Sequence, residues 1–197
     1  MKKIVLFFPI ILVVSACGSL PELDSNIQSQ GWIDHQASIN KVESWKIKGR
    51  AAVRDDSGSA SFVLHWEQFN SNYELRLISS LGQGTYLLKG SEKKATIQTP
   101  KNKIFTADTA EQLIQDKLGW DIHLAGLKYW LRGIPEPNVK YSQLLLDAQG
   151  RLSDMKQSGF TISILRYAKK KNVSLPEKVF IRKRDIQLRL VIQNWEI

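Results

Sequence analysis

Strict alternation of apolar and polar side chains constrains the fold of this chain more than any other feature of its sequence. Between residues 45 and 54 every second side chain is apolar or small, and most positions between them are basic. The first set is Trp45, Ile47, Gly49, Ala51 and Val53, and the second is Lys46, Lys48, Arg50 and Arg54. A period of two places the sets on opposite faces of a half-buried β-strand.

The same alternation recurs along the chain, and turn residues separate one stretch from the next. The stretches after the first are residues 59–67, 73–77, 85–89, 95–99, 103–106, 140–147, 151–157, 160–168, 178–184 and 185–195. Short strands joined by tight turns pair with their neighbours in an antiparallel sheet. The sequence therefore predicts a mainly β protein of about eleven strands in one curled antiparallel sheet.

A few short helices are predicted between the two groups of strands. Asp108 with Glu111 three residues later is typical of a capping box, and Gly119 provides a left-handed residue to end that helix. A second short helix is predicted over residues 124–132, where apolar side chains cluster on one side.

The first residues have the pattern of a secretion signal. Two lysines precede an apolar run over residues 4–14, which is shorter than the roughly 20 residues that span a bilayer as a helix. The ending Val14-Ser15-Ala16-Cys17 resembles a bacterial lipobox, which implies cleavage of the signal peptide 1–16. It also implies diacylglyceryl and N-acyl chains on Cys17, the only cysteine. An ordinary signal peptide with a leftover cysteine is the alternative.

The sequence after Cys17 predicts a tether and then one domain. Gly18 stands where lipoproteins of the inner membrane usually carry aspartate, so the resemblance implies the periplasmic face of the outer membrane. Residues 17–30 are polar and predict a flexible tether, and residues 31–197 contain no further linker. Lipid chains on Cys17 would anchor the domain.

Motifs for catalysis or metal binding are missing from the sequence. His35, His65 and His123 lack metal-ligand spacing, and no HExxH or GxSxG motif is present. The sequence thus predicts no enzyme, no metal and no cofactor beyond the lipid. The formal charge of +9 and the basic runs at residues 169–171 and 182–184 fit solvated strand ends better than nucleic acid in a secreted lipoprotein.

A sheet with one large apolar face and few helices to cover it predicts a hydrophobic cavity. The candidate lining residues are Trp45, Ile47, Phe62, Leu64, Trp66, Leu75, Leu77 and Trp130. On the pattern alone, a packed barrel core filled by the same side chains is the favoured interpretation.

Five segments, in colinear order, resemble the LolB family of outer-membrane lipoprotein receptors. They are Phe62-x-x-x-Trp66, Tyr73-x-Leu75-Arg76-Leu77-x-x-x-Leu81-Gly82, Phe105-Thr106-Ala107-Asp108, Trp130-Leu131-Arg132-Gly133-Ile134-Pro135 and Asn194-Trp195. The resemblance implies an unclosed half β-barrel, similar to the LolA carrier, with a helical lid over a cavity for acyl chains. It implies a monomer that accepts outer-membrane lipoproteins from a LolA-like periplasmic carrier and releases them into outer-membrane lipid.

The resemblance also implies roles for particular residues. Leu81 would contact the membrane or the cargo during release, although Ser79-Ser80 stands where family members have Asn-Pro. Four outer-face residues would steer an acidic carrier, or else form a soluble surface: Lys46, Lys48, Arg50 and Arg54. The alternative function is a structural or assembly lipoprotein with a filled β core.

Overall fold

The computed structural model describes residues 25–197 except Glu92, and it describes side chains from Ser29 onward. The signal peptide 1–16, Cys17 and residues 18–24 lie outside the described part. The elements are α1 (Ser25–Asn40), β1 (Ser44–Asp55), β2 (Gly58–Phe69), β3 (Asn72–Ser79), β4 (Thr85–Gly90), β5 (Ala95–Gln98), β6 (Ile104–Ala107), α2 (Ala110–Leu118), α3 (Leu124–Trp130), β7 (Tyr141–Leu146), β8 (Leu152–Gln157), β9 (Phe160–Lys170), β10 (Val173–Lys183) and β11 (Ile186–Glu196). No helix in this part is long and apolar enough to cross a membrane.

All eleven described strands belong to one antiparallel sheet, in the order β6-β5-β4-β3-β2-β1-β11-β10-β9-β8-β7. The first and last strands pair with each other in the middle of the sheet. The strands β6 and β7 are therefore left at opposite edges, and the sheet does not close. The prediction of a mainly β, unclosed sheet with short helices is confirmed.

The helix α1 differs from the sequence prediction. The last six residues of the predicted tether 17–30 belong to α1, which continues through residues that were assigned to the domain without a helix. Its buried side chains in the described range are His35 and Ile39, one turn apart, and α1 contacts β10. Because so few positions are buried, α1 lacks the broad apolar stripe by which an amphipathic helix is recognised.

Three tryptophans join the central strands on the inner face of the sheet, which we define as the face that packs against α2 and α3. The ring centroid of Trp45 lies 5.2 Å from that of Trp66 and 5.5 Å from that of Trp195. The indole of Trp195 also donates a hydrogen bond to the Pro176 carbonyl at 2.8 Å. Tilted aromatic pairs contribute about 0.5–1.5 kcal/mol each beyond their burial, so this cluster stabilises the centre of the sheet.

Gly49 allows β1 and β11 to approach each other. The pairing register shifts between Lys48 and Gly49, and a Cβ atom built on Gly49 would lie 2.3 Å from the Val191 carbonyl oxygen. A contact that short with backbone cannot be relieved by rotating a side chain. Glycine is therefore required for space at the pairing of the first and last strands.

We expect Gly49→Ala to lower the free energy of unfolding by about 1–3 kcal/mol, the usual cost of forcing extra volume into a packed site. Urea unfolding followed by tryptophan fluorescence measures this loss. Ser61→Ala, at an exposed position on β2, is the control and should change the free energy by less than about 0.5 kcal/mol. Equal unfolding midpoints for the two variants would contradict the steric argument.

Candidate functional site: an apolar cavity under two helices

Two helices cover the inner face of the sheet, and we call α2, α3 and the connecting residues 119–123 the lid. The Thr109 hydroxyl caps α2 by accepting from the Gln112 N–H at 3.2 Å, so the prediction that Asp108 caps this helix was wrong. The Glu111 carboxylate instead accepts from the Ala125 N–H at 3.0 Å and joins α2 to α3. Gly119 ends α2 with φ of 77°, as predicted.

Between the lid and the sheet lies an apolar cavity of about 60 Å³. Aliphatic and aromatic residues of the strands and the lid line it throughout. The lid contributes Ile114, Leu118, Trp120, Ile122, Leu124 and Leu127. An apolar cavity of about 150 Å³ holds a benzene molecule. The cavity as described is therefore too small for a long hydrocarbon chain, which enters only if the lid and sheet residues that line it move apart.

Five of the eight predicted lining residues lie in the wall of this cavity: Phe62, Leu64, Trp66, Leu75 and Leu77. Trp45 and Ile47 are buried on the same face, but they lie nearer the start of β1, level with Gln68 and Trp66 of β2. Trp130 lines a separate gap of about 10 Å³ and donates to Gln157 at 2.7 Å. These three residues belong to the packed core around the cavity.

The sequence analysis missed the contribution of the loop between the two lid helices. Trp120 lies in this loop, and its ring centroid is 5.5 Å from that of Phe62 in an edge-to-face arrangement. Ile122 follows it into the cavity wall. The signal was present in the sequence, because two large apolar side chains directly after a helix-ending glycine rarely stay in solvent.

His123 links the parts of the lid by charge. Its Nε2 lies 2.7 Å from Glu136 Oε2, and its Nδ1 lies 3.6 Å from Glu111 Oε1. The carboxylates of Glu111 and Glu136 raise the pKa of His123 above its ordinary value, although partial burial opposes them. His123 precedes α3, Glu111 lies in α2 and Glu136 follows α3. Protonated His123 therefore joins the lid at α2 to the segment that follows α3.

Leu81 lies on the loop between β3 and β4 and is 80% exposed, more than any other large apolar side chain in the described residues. Backbone N–H groups hold this loop by hydrogen bonds. The Ser79 N–H donates to the Gly84 carbonyl at 2.9 Å, the Ser80 N–H donates to the Ser61 carbonyl at 2.9 Å, and the Leu81 N–H donates to the Ser79 hydroxyl at 3.3 Å. The loop thus presents Leu81 to solvent from a hydrogen-bonded base.

The turn between β5 and β6 lies beside the Leu81 loop. A Cβ atom built on Gly84 would be 2.6 Å from Pro100 Cβ, so the two segments touch. This turn exposes Lys101 and Lys103, and Ile104 directly after it is 68% exposed. No carboxylate of a described residue lies within 4.0 Å of either ammonium group. One end of the sheet therefore presents two apolar and two cationic side chains.

The four predicted docking residues lie together on the outer face of β1. Lys46, Lys48, Arg50 and Arg54 are all exposed. Lys46 pairs with Glu67 at 2.9 Å, whereas the other three have no carboxylate within 4.0 Å among the residues described. Within the same described part, no group of three His, Cys, Asp or Glu side chains has a metal-binding arrangement.

We expect His123 to make the stability of the protein depend on pH. The folded state raises the pKa of His123. Its contribution to the free energy of unfolding is therefore complete below the ordinary pKa of 6.5, and it is lost as the pH rises through the pKa of the folded state. Urea unfolding between about pH 6 and pH 9 gives the free energy of unfolding of each protein. The value for the wild type should exceed that for His123→Gln at low pH, and the difference should shrink as the pH rises. His65→Gln, on the outer face of β2, controls for loss of an imidazole. A wild-type advantage independent of pH would contradict this role.

Comparisons with known proteins agree with this architecture. The model of the family described as "Outer membrane lipoprotein LolB" matches residues 43–195. An outer-membrane lipoprotein LolB of Pseudomonas savastanoi is 31% identical over 98% of this chain and 95% of its own length. The outer-membrane lipoprotein LolB of Nitrosococcus oceani is 33% identical over 85% of this chain and 84% of its own length.

A likeness in fold also extends beyond these relatives. A LolA-superfamily protein of Nitrosomonas europaea superimposes with a TM-score of 0.53 at 8% sequence identity, covering 83% of this chain and 93% of that protein. The matched residues 43–195 include every strand of the sheet and both helices of the lid. The cavity, its lid and the exposed Leu81 loop thus lie within the matched region, and the chain belongs to the LolB family of outer-membrane lipoproteins.

Proposed function

We propose that this protein accepts lipoproteins from a LolA-like periplasmic carrier and releases them into the outer membrane. Membership of the LolB family gives the protein a role in lipoprotein localisation. The observation that supports the finer proposal is the apolar cavity under a lid of two short helices. Such a cavity suits the acyl chains by which lipoproteins are anchored, and it offers no group for covalent chemistry.

Entry of an acyl chain depends on opening the lid. The cavity of about 60 Å³ has too little room for a palmitoyl chain, so the lid residues Trp120 and Leu127 must separate from the sheet. Burial of a palmitoyl chain contributes about 12 kcal/mol at about 0.8 kcal/mol per methylene. The carrier's cavity provides a similar amount, so the difference between the two affinities drives transfer and no nucleotide is consumed.

Docking and anchoring use different surfaces in this proposal. The exposed side chains of Lys48, Arg50 and Arg54 would raise the rate of encounter with an acidic carrier. The acyl chains on Cys17 would hold a monomer at the periplasmic face of the outer membrane, since stable attachment needs more than one chain. Insertion of Leu81 would add at most about 1.5–3 kcal/mol, which is enough to assist release but not to anchor the protein.

A structural or assembly lipoprotein is the second candidate function. The small volume of the cavity favours it, because a filled β core would serve a scaffold equally well. The two candidates differ in one property that can be measured. A receptor must bind acyl chains inside the sheet, whereas a scaffold needs only its surface.

The transfer itself provides the first test. The chain from Gly18 to Ile197, which keeps every described residue, is incubated with a carrier loaded with radiolabelled lipoprotein. We expect most of the label to move to this chain without nucleotide. Leu77→Trp, which fills the cavity, should block the transfer, whereas Val63→Trp on the outer face of β2 should not. Label that remains on the carrier with the wild-type chain would favour the scaffold.

Release into lipid is tested separately with Leu81→Glu. A carboxylate at this exposed position cannot enter a membrane without a large desolvation cost. We expect the acylated variant to accept label at the wild-type rate and to deliver it to phospholipid vesicles severalfold more slowly. Ile33→Glu, at a position on α1 that is 58% exposed, is the matched control. Wild-type delivery by Leu81→Glu would remove Leu81 from the mechanism.

A further inference from the structure

The inner face of the sheet changes from apolar to polar at one level. Along β2 the side chains that line the apolar cavity end at Trp66, and the next residue on that face is Gln68. Along β3 the row of Leu77 and Leu75 ends in Tyr73. Gln68 pairs directly with Tyr73, and Tyr73 pairs with Gly90 of β4. Three neighbouring strands thus end their apolar rows together.

A second cavity of about 220 Å³ begins at this level, and we call it the polar chamber. Trp66 and Leu124 line both the polar chamber and the apolar cavity, so the two spaces adjoin. Most residues of the remaining wall have polar side chains, although apolar atoms form most of its surface. The polar side chains include Gln68 and Tyr73 from the sheet, Ser71 from the turn between β2 and β3, and Thr109, Glu111 and Lys128 from the lid region.

Tyr73 brings an unpaired donor to this boundary. Its hydroxyl is buried and has no hydrogen-bond partner among the described residues, whereas Gln68 beside it accepts from the Trp66 indole at 3.2 Å and donates to the Asn70 carbonyl at 2.7 Å. Burial raises the pKa of Tyr73 to about 12, with a further contribution from Glu111, so the hydroxyl keeps its proton at neutral pH.

The fold makes room for this hydroxyl. A Cβ atom built on Gly90 would lie 2.7 Å from the Tyr73 oxygen, so glycine at the paired position leaves the space that the hydroxyl occupies. A buried hydroxyl without a partner costs stability, and phenylalanine would fill the same place without that cost. Neighbouring residues cover the hydroxyl, so a ligand reaches it when the lid moves, and the hydroxyl then offers that ligand a hydrogen-bond donor.

We propose that the polar chamber binds the ester group of an acylated glycerol, with the Tyr73 hydroxyl donating a hydrogen bond to the ester carbonyl oxygen. The inference rests on the proposed function, since the attached hydrocarbon would occupy the adjoining apolar cavity. An ester carbonyl loses its hydrogen bonds with water on entering the protein, and it can only accept. A neutral donor at the boundary between apolar and polar walls meets this need.

Ester and ether lipids with the same chains provide the test. The chain from Gly18 to Ile197 is titrated with an S-diacylglyceryl lipopeptide and with its dialkyl ether analogue, which lacks the carbonyl. We expect wild-type protein to bind the ester roughly twofold to tenfold more tightly than the ether, the range for one hydrogen bond. Tyr73→Phe should remove this preference, and Tyr141→Phe, at an exposed tyrosine of β7, should keep it.

The outcomes distinguish a failure of this inference from a failure of the proposed function. Tyr73→Phe should unfold at the same urea concentration as wild type or at a higher one, because it removes an unpaired buried group. A preference that persists in Tyr73→Phe, or is absent from wild type, would overturn the inference while leaving acyl-chain binding intact. Failure of both lipids to bind would instead overturn the proposed function.

A second pair of probes identifies the source of the ester. Ester and ether phosphatidylglycerol replace the two lipopeptides in the same titration. A preference that depends on Tyr73 and appears with the lipopeptide alone assigns the chamber to the cargo lipoprotein. The same preference with phosphatidylglycerol as well assigns it to acyl esters in general, including those of membrane lipid.

Discussion

The pairing of β1 with β11 is the constraint on which the rest of the structure depends. It brings the first and last strands of the sheet together at its centre and leaves β6 and β7 at the two edges. Because β6 and β7 are consecutive strands, the chain between them must cross from one edge to the other. This crossing segment contains the lid, so the same pairing opens the sheet and covers the opening.

The lid is held by contacts of two kinds, which differ in how readily they separate. Apolar side chains such as Trp120 and Leu127 close the cavity by burial against the sheet. The contacts of His123 with Glu111 and Glu136 are directional. Glu111 belongs to α2, whereas the backbone of Glu136 exchanges hydrogen bonds with the Gln157 side chain of β8, so these contacts also tie the lid to one strand. An entering hydrocarbon chain can replace the apolar contacts with similar ones, while the charged contacts hold the lid to the segment that follows α3.

The two ends of β3 have different chemistry. Tyr73 lies near its start, at the polar chamber, and the loop of Leu81 follows its end. The eight residues of β3 span about 26 Å at the usual rise of a strand, and the apolar cavity lies between these ends. In the functions proposed here, a polar group is bound at one end and the membrane is met at the other.

The serines at positions 79 and 80 form hydrogen bonds within the Leu81 loop and to β2. Proline at position 80 would have no N–H to donate, whereas Ser80 donates to the Ser61 carbonyl of β2. The Ser79 hydroxyl also accepts from the Leu81 N–H. Hydrogen bonds thus hold the loop that presents Leu81 without the stiffness of a proline ring.

The resemblance of five sequence segments indicated the family. The sequence by itself also determined which face the alternating strand residues occupy and where most of the turns fall, but it missed the turn between β9 and β10 and the start of β10 at Val173. These properties are local, since alternation sets the face and glycine ends α2 whatever lies nearby. The tertiary structure alone decided that α1 is a helix, that Thr109 caps α2, and that Phe62 lines the cavity while Trp45 packs beside it. Alternation carries no information about depth along a strand, which depends on the strands alongside and on the lid above. The tertiary structure also decided that the Tyr73 hydroxyl is unpaired, because the partner of a buried group depends on the position of every neighbouring segment.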